Sequence, residues 1–361
     1  MILAGLILQV GVLIISSIQE PGGVGDAGGE LEYHSDIEAS IRFVRPAFTQ
    51  AAYDPDGFYD FYATYGSTGP GEGIYITTDL NLLNTTISSQ NKEHSGGAVV
   101  RLIDNIREVM PNVDIASIND IHVHSGSIFF GNGTNRYDVL ILAHNEYVTQ
   151  EEYDNLRLFT AQGGTVIFMD GNYLFAEVEY FATPEETVQL VSGHGWIFNG
   201  THAYQGPYEH FATNNTLWTG SNYYCKNCEV YAYDPFGYNA VGHEENYITN
   251  SSAVVITDYQ ATVNASKTVA TYYMDYGEGR VIVFGLFAEN LTLNPLFVQY
   301  FDYVLLQYAF GETAINPLTY EEPDDRPRDV FSNILSLMSI GGVALLFLGV
   351  INIIASVTIF R

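Results

Sequence analysis

Three side chains capable of acid–base or metal chemistry follow directly on a predicted buried strand. The unbroken apolar run at 139–143 is typical of such a strand, and His144, Glu146 and Tyr147 come immediately after it. Open α/β sheets bind their ligands beyond the carboxyl ends of the strands. We therefore expect a functional site here, with His144 and Glu146 as candidate catalytic residues. The alternative is that these residues cap the following helix and anchor the loop.

Other histidines offer additional candidate sites. If their segment is a strand, His122 and His124 share one face of it, where they could chelate a metal or form hydrogen bonds at the strand end. His194 stands in a glycine-flanked loop and could line a pocket. His243 and Glu245 together offer an imidazole and a carboxylate, which are common metal-binding groups.

The elements that must position these side chains alternate between helices and strands. Apolar residues at helical spacing predict a helix over 98–110, and a strand follows at 113–118. Thr149 and Glu152 form a capping-box pattern that predicts the start of a second helix, and the next strand is expected at 165–169. This alternation indicates an α/β fold with a largely parallel sheet flanked by helices.

The remaining segments of the domain are less periodic. Residues 41–65 are rich in Tyr and Phe and could form an edge strand and a helix. We expect a long irregular insertion at 180–250, an antiparallel hairpin formed by 268–274 and 280–287, and a final aromatic helix at 295–310.

Two segments, 142–147 and 163–172, resemble a known family. They are similar to the C-terminal region of the large subunit of N,N-dimethylformamidase, whose domain is related to class I glutamine amidotransferases. The family pattern is G-H-D-E-Y-W after a strand, then a helix, a Gly-Gly strand and a Gly-Asn turn. The resemblance implies an amidotransferase-like fold for residues 31–320.

The resemblance also implies a chemistry. The family's amidases resemble mononuclear iron enzymes that hold the metal with Tyr and Glu oxygens, and Tyr147 matches the Tyr of the motif. Hard oxygen donors suit ferric iron, so iron is a possible cofactor, and His243 and Glu245 could complete the ligand set. The motif is altered, because Asn145 replaces its Asp and Val148 replaces its Trp.

The amidotransferase comparison argues against a thiol mechanism. Those enzymes place a Cys nucleophile on a tight turn after a central strand, and the equivalent turn here is expected at 170–172. That turn contains neither Cys nor Ser. Cys225 and Cys228 lie elsewhere, and in an exported domain they are expected to form a local disulfide, or alternatively half of a metal site.

Both ends of the chain are apolar. Residues 1–19 carry no charge and suit a signal peptide or an N-terminal apolar anchor, and 20–30 form a glycine-rich linker. A polar stalk at 321–329 precedes an uncharged stretch at 330–360, which is long enough for one transmembrane helix.

Glycosylation signals indicate which side of the membrane the domain occupies. Seven N-x-S/T sequons lie between the two apolar ends: Asn84, Asn132, Asn199, Asn214, Asn250, Asn264 and Asn290. Such sequons mark surface positions of exported proteins. We therefore expect a single-pass membrane protein with an extracellular domain at the cell surface.

The charge of the chain excludes one class of function. With 42 acidic and 13 basic residues, the formal charge is −29, which would repel nucleic acid. The leading hypothesis is a cell-surface protein whose amidase-like domain binds a ligand, a membrane-protein partner or an envelope component. The alternatives are an iron-dependent amidohydrolase acting on small extracellular amides and a purely structural envelope component.

Overall fold

The computed structural model describes twelve stretches of the chain. They are residues 34, 36–55, 57–58, 84–93, 96–169, 171, 173–174, 176–192, 212–224, 245–258, 268–285 and 291–319. The chain divides into two compact units, Met1–Ala314 and Ile315–Arg361. The described part of the second unit, 315–319, contains a turn.

The first unit is built from strands and helices in alternation. The strands are β1 Ser40–Arg45, β2 Asn84–Thr86, β3 Asp114–Asn119, β4 Val139–Leu142, β5 Tyr147–Val148, β6 Thr165–Phe168, β7 Ala176–Phe181, β8 Thr187–Ser192, β9 Ser221–Tyr224, β10 Glu245–Ile248, β11 Val254–Thr257, β12 Thr268–Val269, β13 Thr271–Tyr276 and β14 Gly279–Phe284. The helices are α1 Ala47–Tyr53, α2 Ser89–Glu93, α3 Gly96–Val109, α4 Asp120–His124, α5 Gln150–Ala161, α6 Ala212–Trp218 and α7 Pro295–Val304, which continues as a π-helical segment, Leu305–Phe310.

A seven-stranded sheet forms the centre of this unit, in the order β11-β13-β14-β6-β4-β1-β3. The five strands from β14 to β3 are mutually parallel, and β13 is antiparallel to both of its neighbours. All residues of β4 and β6 are buried, as expected for central parallel strands covered on both faces. The predicted α/β fold with a largely parallel sheet is confirmed.

The first strand of the chain corrects one expectation. β1 was expected at an edge, but it lies inside the sheet, with β3 on one side and β4 on the other. Ile41, Phe43 and Val44 are buried accordingly. Their sequence pattern is shared by edge and interior strands, so it could not reveal this position.

The helix after β4 begins as the sequence predicts. The Thr149 side chain accepts a hydrogen bond from the Glu152 backbone N–H at 3.0 Å, which caps α5. The Glu152 side chain lies in the interior, where Asn145 Nδ2 donates to it.

The predicted hairpin is also present. β13 and β14 pair antiparallel with a two-residue connection, Gly277-Glu278, between Tyr276 and Gly279. Gly277 has a positive φ of 61°, and a Cβ there would lie 2.5 Å from the carbonyl oxygen of Ala161. Only glycine fits this close approach of the hairpin to the end of α5.

The structure differs from the expected irregular insertion at 180–250. β7 and β8 form an antiparallel pair within a four-stranded sheet of order β2-β8-β7-β5, and β9 and β10 join β12 in a three-stranded sheet. Apolar residues alternate along β7 and β8, and Val178, Val188 and Leu190 are buried. The intervening glutamates and turn residues concealed this short alternation.

Several predicted features lie outside the described residues. These are the segments 1–19 and 330–360, Cys225, Cys228, His194 and three sequons, Asn199, Asn264 and Asn290. Within the ranges that the structure describes, no helix combines the length and apolar character needed to cross a membrane.

Candidate functional site

Three chain segments meet beyond the carboxyl ends of neighbouring parallel strands. α1 follows β1, α4 follows β3, and the loop 143–149 follows β4. The side-chain oxygen of Thr49, in the first turn of α1, accepts hydrogen bonds from the backbone N–H groups of Glu146 and Tyr147, both at 3.1 Å. The loop after β4 is thereby fixed against α1.

The other side of this loop is tied to the chain that enters β7. The carbonyl of Asn145 accepts a hydrogen bond from the N–H of Leu174 at 2.8 Å, and that of Glu146 accepts one from Ala176 at 3.1 Å. Tyr147 begins β5, which pairs parallel with β7. Hydrogen bonds on both sides therefore hold the loop in one position, as a preorganised site requires.

Three polar side chains converge on this loop. The buried carboxylate of Glu146 accepts a hydrogen bond from the Tyr53 hydroxyl, and its Oε2 lies 3.7 Å from Nε2 of His144. The Tyr53 hydroxyl is also 3.2 Å from His144 Nε2. The site opens to solvent through Tyr53, which is 39% exposed, and the side chain of His144, which is 13% exposed. We call these three residues the Tyr53 group.

Tyr147 lies directly behind the Tyr53 group. It is fully buried, and its ring meets the ring of Tyr53 edge-on at 6.4 Å and that of Phe58 at 5.4 Å between centroids. The three residues predicted from the motif, His144, Glu146 and Tyr147, are thus close together. Tyr53 was not predicted, because it is one of 27 tyrosines and its position depends on the packing of α1.

The Tyr53 group combines a phenol, an imidazole and a desolvated carboxylate. A hydrogen-bonded carboxylate can orient an imidazole for proton transfer, and the phenol oxygen, which donates its proton to Glu146, can accept a hydrogen bond from a polar ligand. Two oxygen donors and one nitrogen donor are also an arrangement that a hard metal ion accepts. Within the described residues there is no group of three or more His, Cys, Asp and Glu side chains suited to a metal.

The second half of the predicted metal site remains a prediction. Glu245 begins β10, where it pairs with Tyr224 in the three-stranded sheet. His243 lies outside the described residues.

The segment that contains His122 and His124 is not a strand, so the two imidazoles do not share one face as a strand would require. Both residues lie on the short helix α4, where positions two apart do not share a face. Nδ1 of His122 is 2.7 Å from Oδ1 of Asn119, and Nδ1 of His124 is 2.8 Å from the Thr149 hydroxyl. Burial lowers the pKa of His124, although nearby Glu151 opposes this effect.

A buried acidic pair lies beneath the loop. Asp120 and Glu152 are fully buried, and Asn145 Nδ2 donates to Glu152 at 3.3 Å. Burial raises the pKa of both carboxyls, and the negative charge of Asp120 raises that of Glu152 further, whereas the N–H of Phe48 opposes the shift at Asp120. The pair therefore retains a proton to higher pH than either carboxyl would in water.

Sequence reasoning missed the role of this pair. Asp120 lies two residues beyond the strand predicted at 113–118, and Glu152 is explained by its position in the capping pattern. Asn145 contacts Glu152, and it is also the position where the motif has Asp instead. The replacement of the motif's Asp by Asn145 is a sequence signal that could have indicated the buried pair.

Comparisons with solved structures give distant likenesses. The GH42 β-galactosidase Gan42B from G. stearothermophilus matches with a TM-score of 0.34 and 15% identity, covering 71% of this chain and 29% of the enzyme. A β-galactosidase from the Antarctic haloarchaeon Halorubrum lacusprofundi matches with a TM-score of 0.32 and 13% identity, covering 73% and 30%. A cytoplasmic protein from Salmonella typhimurium matches with a TM-score of 0.28 and 12% identity, covering 52% and 74%. This chain spans under a third of the length of the two galactosidases, and likeness at this level carries no argument about function.

A family model gives the clearer assignment. No curated protein matches the chain. The model of the N,N-dimethylformamidase beta subunit-like, C-terminal domain matches residues 34–228, which include β1, the loop 143–149 and β6. This match covers more than half of the sequence and contains every residue of the Tyr53 group. The chain therefore belongs to the N,N-dimethylformamidase beta subunit-like, C-terminal family.

Proposed function

We propose that this chain is a membrane-anchored, glycosylated cell-surface protein whose dimethylformamidase-like domain binds a small polar ligand at the Tyr53 group. The observation that carries the proposal is the convergence of Tyr53, His144 and Glu146 at the carboxyl edge of the parallel sheet. Tyr53 and His144 are partly exposed, so a ligand can reach them, whereas the Glu146 carboxylate is held in the interior.

The chemistry of the group favours a ligand with a carbonyl oxygen and an amide or amine. An N–H of the His144 ring can donate to an oxygen acceptor, and the Tyr53 oxygen, whose own proton is donated to Glu146, can accept from an N–H group. Buried hydrogen-bonding groups discriminate strongly against ligands that leave them unpaired. We therefore expect small amides to bind better than hydrocarbons of equal size.

Thermal shift and calorimetric titration of the full chain in detergent would test this proposal. The probes are formamide and acetamide, with N,N-dimethylformamide as an amide that lacks an N–H group and isobutanol, which has no amide, as the negative control. Tyr53→Phe and His144→Gln should each weaken amide binding, and Tyr137→Phe, which removes a phenol hydroxyl elsewhere, should leave it unchanged. Equal amide binding by the wild type and the three variants would overturn the assignment of the site.

A second candidate function, iron-dependent hydrolysis of small amides, is supported by one specific observation. Tyr53 supplies a second phenol close to both Glu146 and Tyr147, and the family resemblance associates Tyr and Glu oxygens with iron. The donor types fit a hard ferric ion, which Tyr53, Glu146 and Tyr147 would hold. Bound iron would polarise an amide carbonyl.

In an iron-dependent hydrolase, the residues around the Tyr53 group would have distinct roles. His144 would hold and move a proton at Nε2, which faces Glu146 Oε2. The loop contacts of Thr49 would keep Glu146 and Tyr147 in position.

Metal analysis separates the two functions. Purified full-length chain, reconstituted with iron, would be compared with Tyr53→Phe, Tyr147→Phe and the control Tyr137→Phe by elemental mass spectrometry. About one iron per chain, lost in the first two variants, supports hydrolysis, and a phenolate-to-iron absorption band should appear and disappear with it. No stoichiometric iron in any of them would exclude the hydrolase and leave the binding function.

A further inference from the structure

The turn between Phe129 and Asn135 has an unusual combination of residues. The N–H of Phe130 donates to the carbonyl of Thr134, and the N–H of Gly133 donates to the carbonyl of Phe130, both at 2.8 Å. Gly133 has a positive φ of 83°, as expected in a hairpin turn that closes with a bulge. The sequence of this turn, Phe130 to Thr134, contains one of the N-x-T sequons.

The asparagine of this sequon, Asn132, is accessible to solvent. Asn132 is exposed, and its Oδ1 accepts hydrogen bonds from the Thr134 N–H at 3.2 Å and from the Thr134 hydroxyl at 2.8 Å. Its amide nitrogen makes no hydrogen bond to the described residues. A Cβ added at Gly131 or Gly133 would meet nothing within 4 Å, so the space around Asn132 is open.

A large aromatic ring lies exposed across this turn. Phe130 is 54% exposed and pairs with Thr134 across the turn, so the two residues lie on the same face. The guanidinium of Arg136 lies 5.6 Å from the centroid of the Phe130 ring and 5.8 Å from that of Tyr137, and Arg42 stacks on Tyr137 at 4.5 Å. This stack of cations and rings holds Phe130 at the surface.

We propose that Asn132 carries an N-linked glycan whose first sugar packs on the exposed ring of Phe130. The apolar face of a pyranose ring would cover aromatic surface that is otherwise in contact with water. The Thr134 hydroxyl, bonded to the side chain of Asn132, fixes the direction in which the amide points. This inference rests on the export of the chain in the proposed function and is independent of the Tyr53 group.

The modification is a simple group transfer. A bond forms between Nδ2 of Asn132 and the anomeric carbon of a sugar on a lipid-phosphate-linked donor. The bond between that carbon and the phosphate oxygen breaks, and the lipid phosphate leaves with the electron pair. The amide loses one proton to the solvent.

Other described sequons are less suited to this arrangement. Nδ2 of Asn250 donates to the carbonyl of Thr216 at 2.9 Å, so its amide is already engaged. Asn214 lies within helix α6, and Asn84 lies on strand β2, paired with Gln189. We therefore expect Asn132 to be modified more fully than these three.

The test is peptide mass spectrometry of the full chain purified in detergent from cells that attach N-glycans, before and after enzymatic glycan release. Thermal unfolding is then compared for the wild type, Phe130→Ala, Phe130→Tyr and the control Phe181→Ala, each with Asn132 intact and in combination with Asn132→Gln. We expect a glycan on Asn132 that raises the Tm by about 2–4 °C relative to Asn132→Gln. In the Phe130→Ala background this gain should be largely lost, and Phe130→Tyr should retain it.

The outcomes distinguish this inference from the proposed function. Glycans on other asparagines with a bare Asn132 would overturn the inference alone. If Asn132 carries a glycan but Phe130→Ala does not reduce the rise in Tm that the glycan causes, the sugar does not pack on Phe130. Phe181→Ala, at an exposed Phe on β7, controls for the loss of apolar surface elsewhere. If no sequon is occupied, both this inference and the exported location fail, whereas amide binding at the Tyr53 group is unaffected.

Discussion

The buried carboxylate of Asp120 accepts a hydrogen bond from the backbone N–H of Phe48 at 2.8 Å. This contact joins the residue that follows β3 to the first turn of α1, so the carboxyl ends of two strands are locked together. Thr49, the next residue of α1, binds the loop that follows β4. One helical turn therefore positions the segments around the Tyr53 group.

Removing the hydroxyl of Thr49 should loosen this arrangement. Thr49→Val keeps the shape of the side chain but leaves the N–H groups of Glu146 and Tyr147 without their buried acceptor. We expect a loss of about 1–3 kcal/mol in the free energy of unfolding, measured by denaturant titration. Thr49→Ser, which keeps the hydroxyl, should lose less, and equal losses in the two variants would contradict the role of the hydroxyl.

Glu152 should make the stability of the protein dependent on pH. Burial and Asp120 raise its folded-state pKa above the ordinary value, so the folded chain binds its proton more tightly than the unfolded chain does. Stability is therefore highest below the unfolded pKa and is lost as pH rises toward the folded pKa. Glu152→Gln should flatten this part of the profile and stabilise the chain at pH 8, as followed by thermal unfolding across pH. Glu108→Gln, at an exposed site on α3, is the control, and its profile should stay close to that of the wild type.

Asp302 on α7 is a second buried carboxyl that should make the stability of the protein depend on pH. Its carboxylate accepts two hydrogen bonds from Nδ2 of Asn105, at 2.7 and 2.8 Å, yet burial raises its pKa to about 7. Stability should fall as pH rises from about 4 to 8, by at most about 4 kcal/mol. We expect Asp302→Asn to raise the Tm at pH 8 and to change it little at pH 4, and Asp104→Asn, at an exposed site on α3, to have little effect at either pH. A Tm for Asp302→Asn that is no higher than that of the wild type at pH 8 would refute this account.

The hairpin of β13 and β14 should tolerate no side chain at Gly279. A Cβ there would lie 2.2 Å from the carbonyl oxygens of both Gly164 and Thr160, and neither backbone atom can move freely. We expect Gly279→Ala to destabilise the chain by about 1–3 kcal/mol. Gly131→Ala, with open space around it, should change stability by less than about 0.5 kcal/mol in the same denaturant titration.

The sequence was sufficient to predict the strands and helices that carry strong periodicity. β4, α5 and β6 follow from an apolar run, a capping pattern and a Gly-Gly stop, and they place His144 and Glu146 at a strand end. Tyr53 could not be predicted, because its contact with Glu146 depends on β1 lying beside β4. That pairing joins residues about 100 positions apart, and no local pattern encodes it.

The buried polar residues were unpredictable for a related reason. Glu152 satisfies a helix-capping pattern that normally lies at the surface, so its burial beneath the loop has no signature in the sequence. β7 and β8 were missed because their apolar residues alternate with polar ones and do not form the unbroken apolar run that marked β4 and β6, and β9 and β10 lie in sequence rich in Tyr and Asn.

The placement of β6 and β11 in one sheet has a consequence for how the domain can vary. β6 ends at Phe168 and β11 begins at Val254, so the intervening segment leaves and re-enters the same framework. Doubling the length of such an excursion costs only about 0.6 kcal/mol in closure entropy. Insertions in the connections between the strands of this segment should therefore cost little stability and leave the register of the seven-stranded sheet unchanged. One part should resist such change, because Trp218 is fully buried in the core and donates to the hydroxyl of Tyr153 at 2.8 Å.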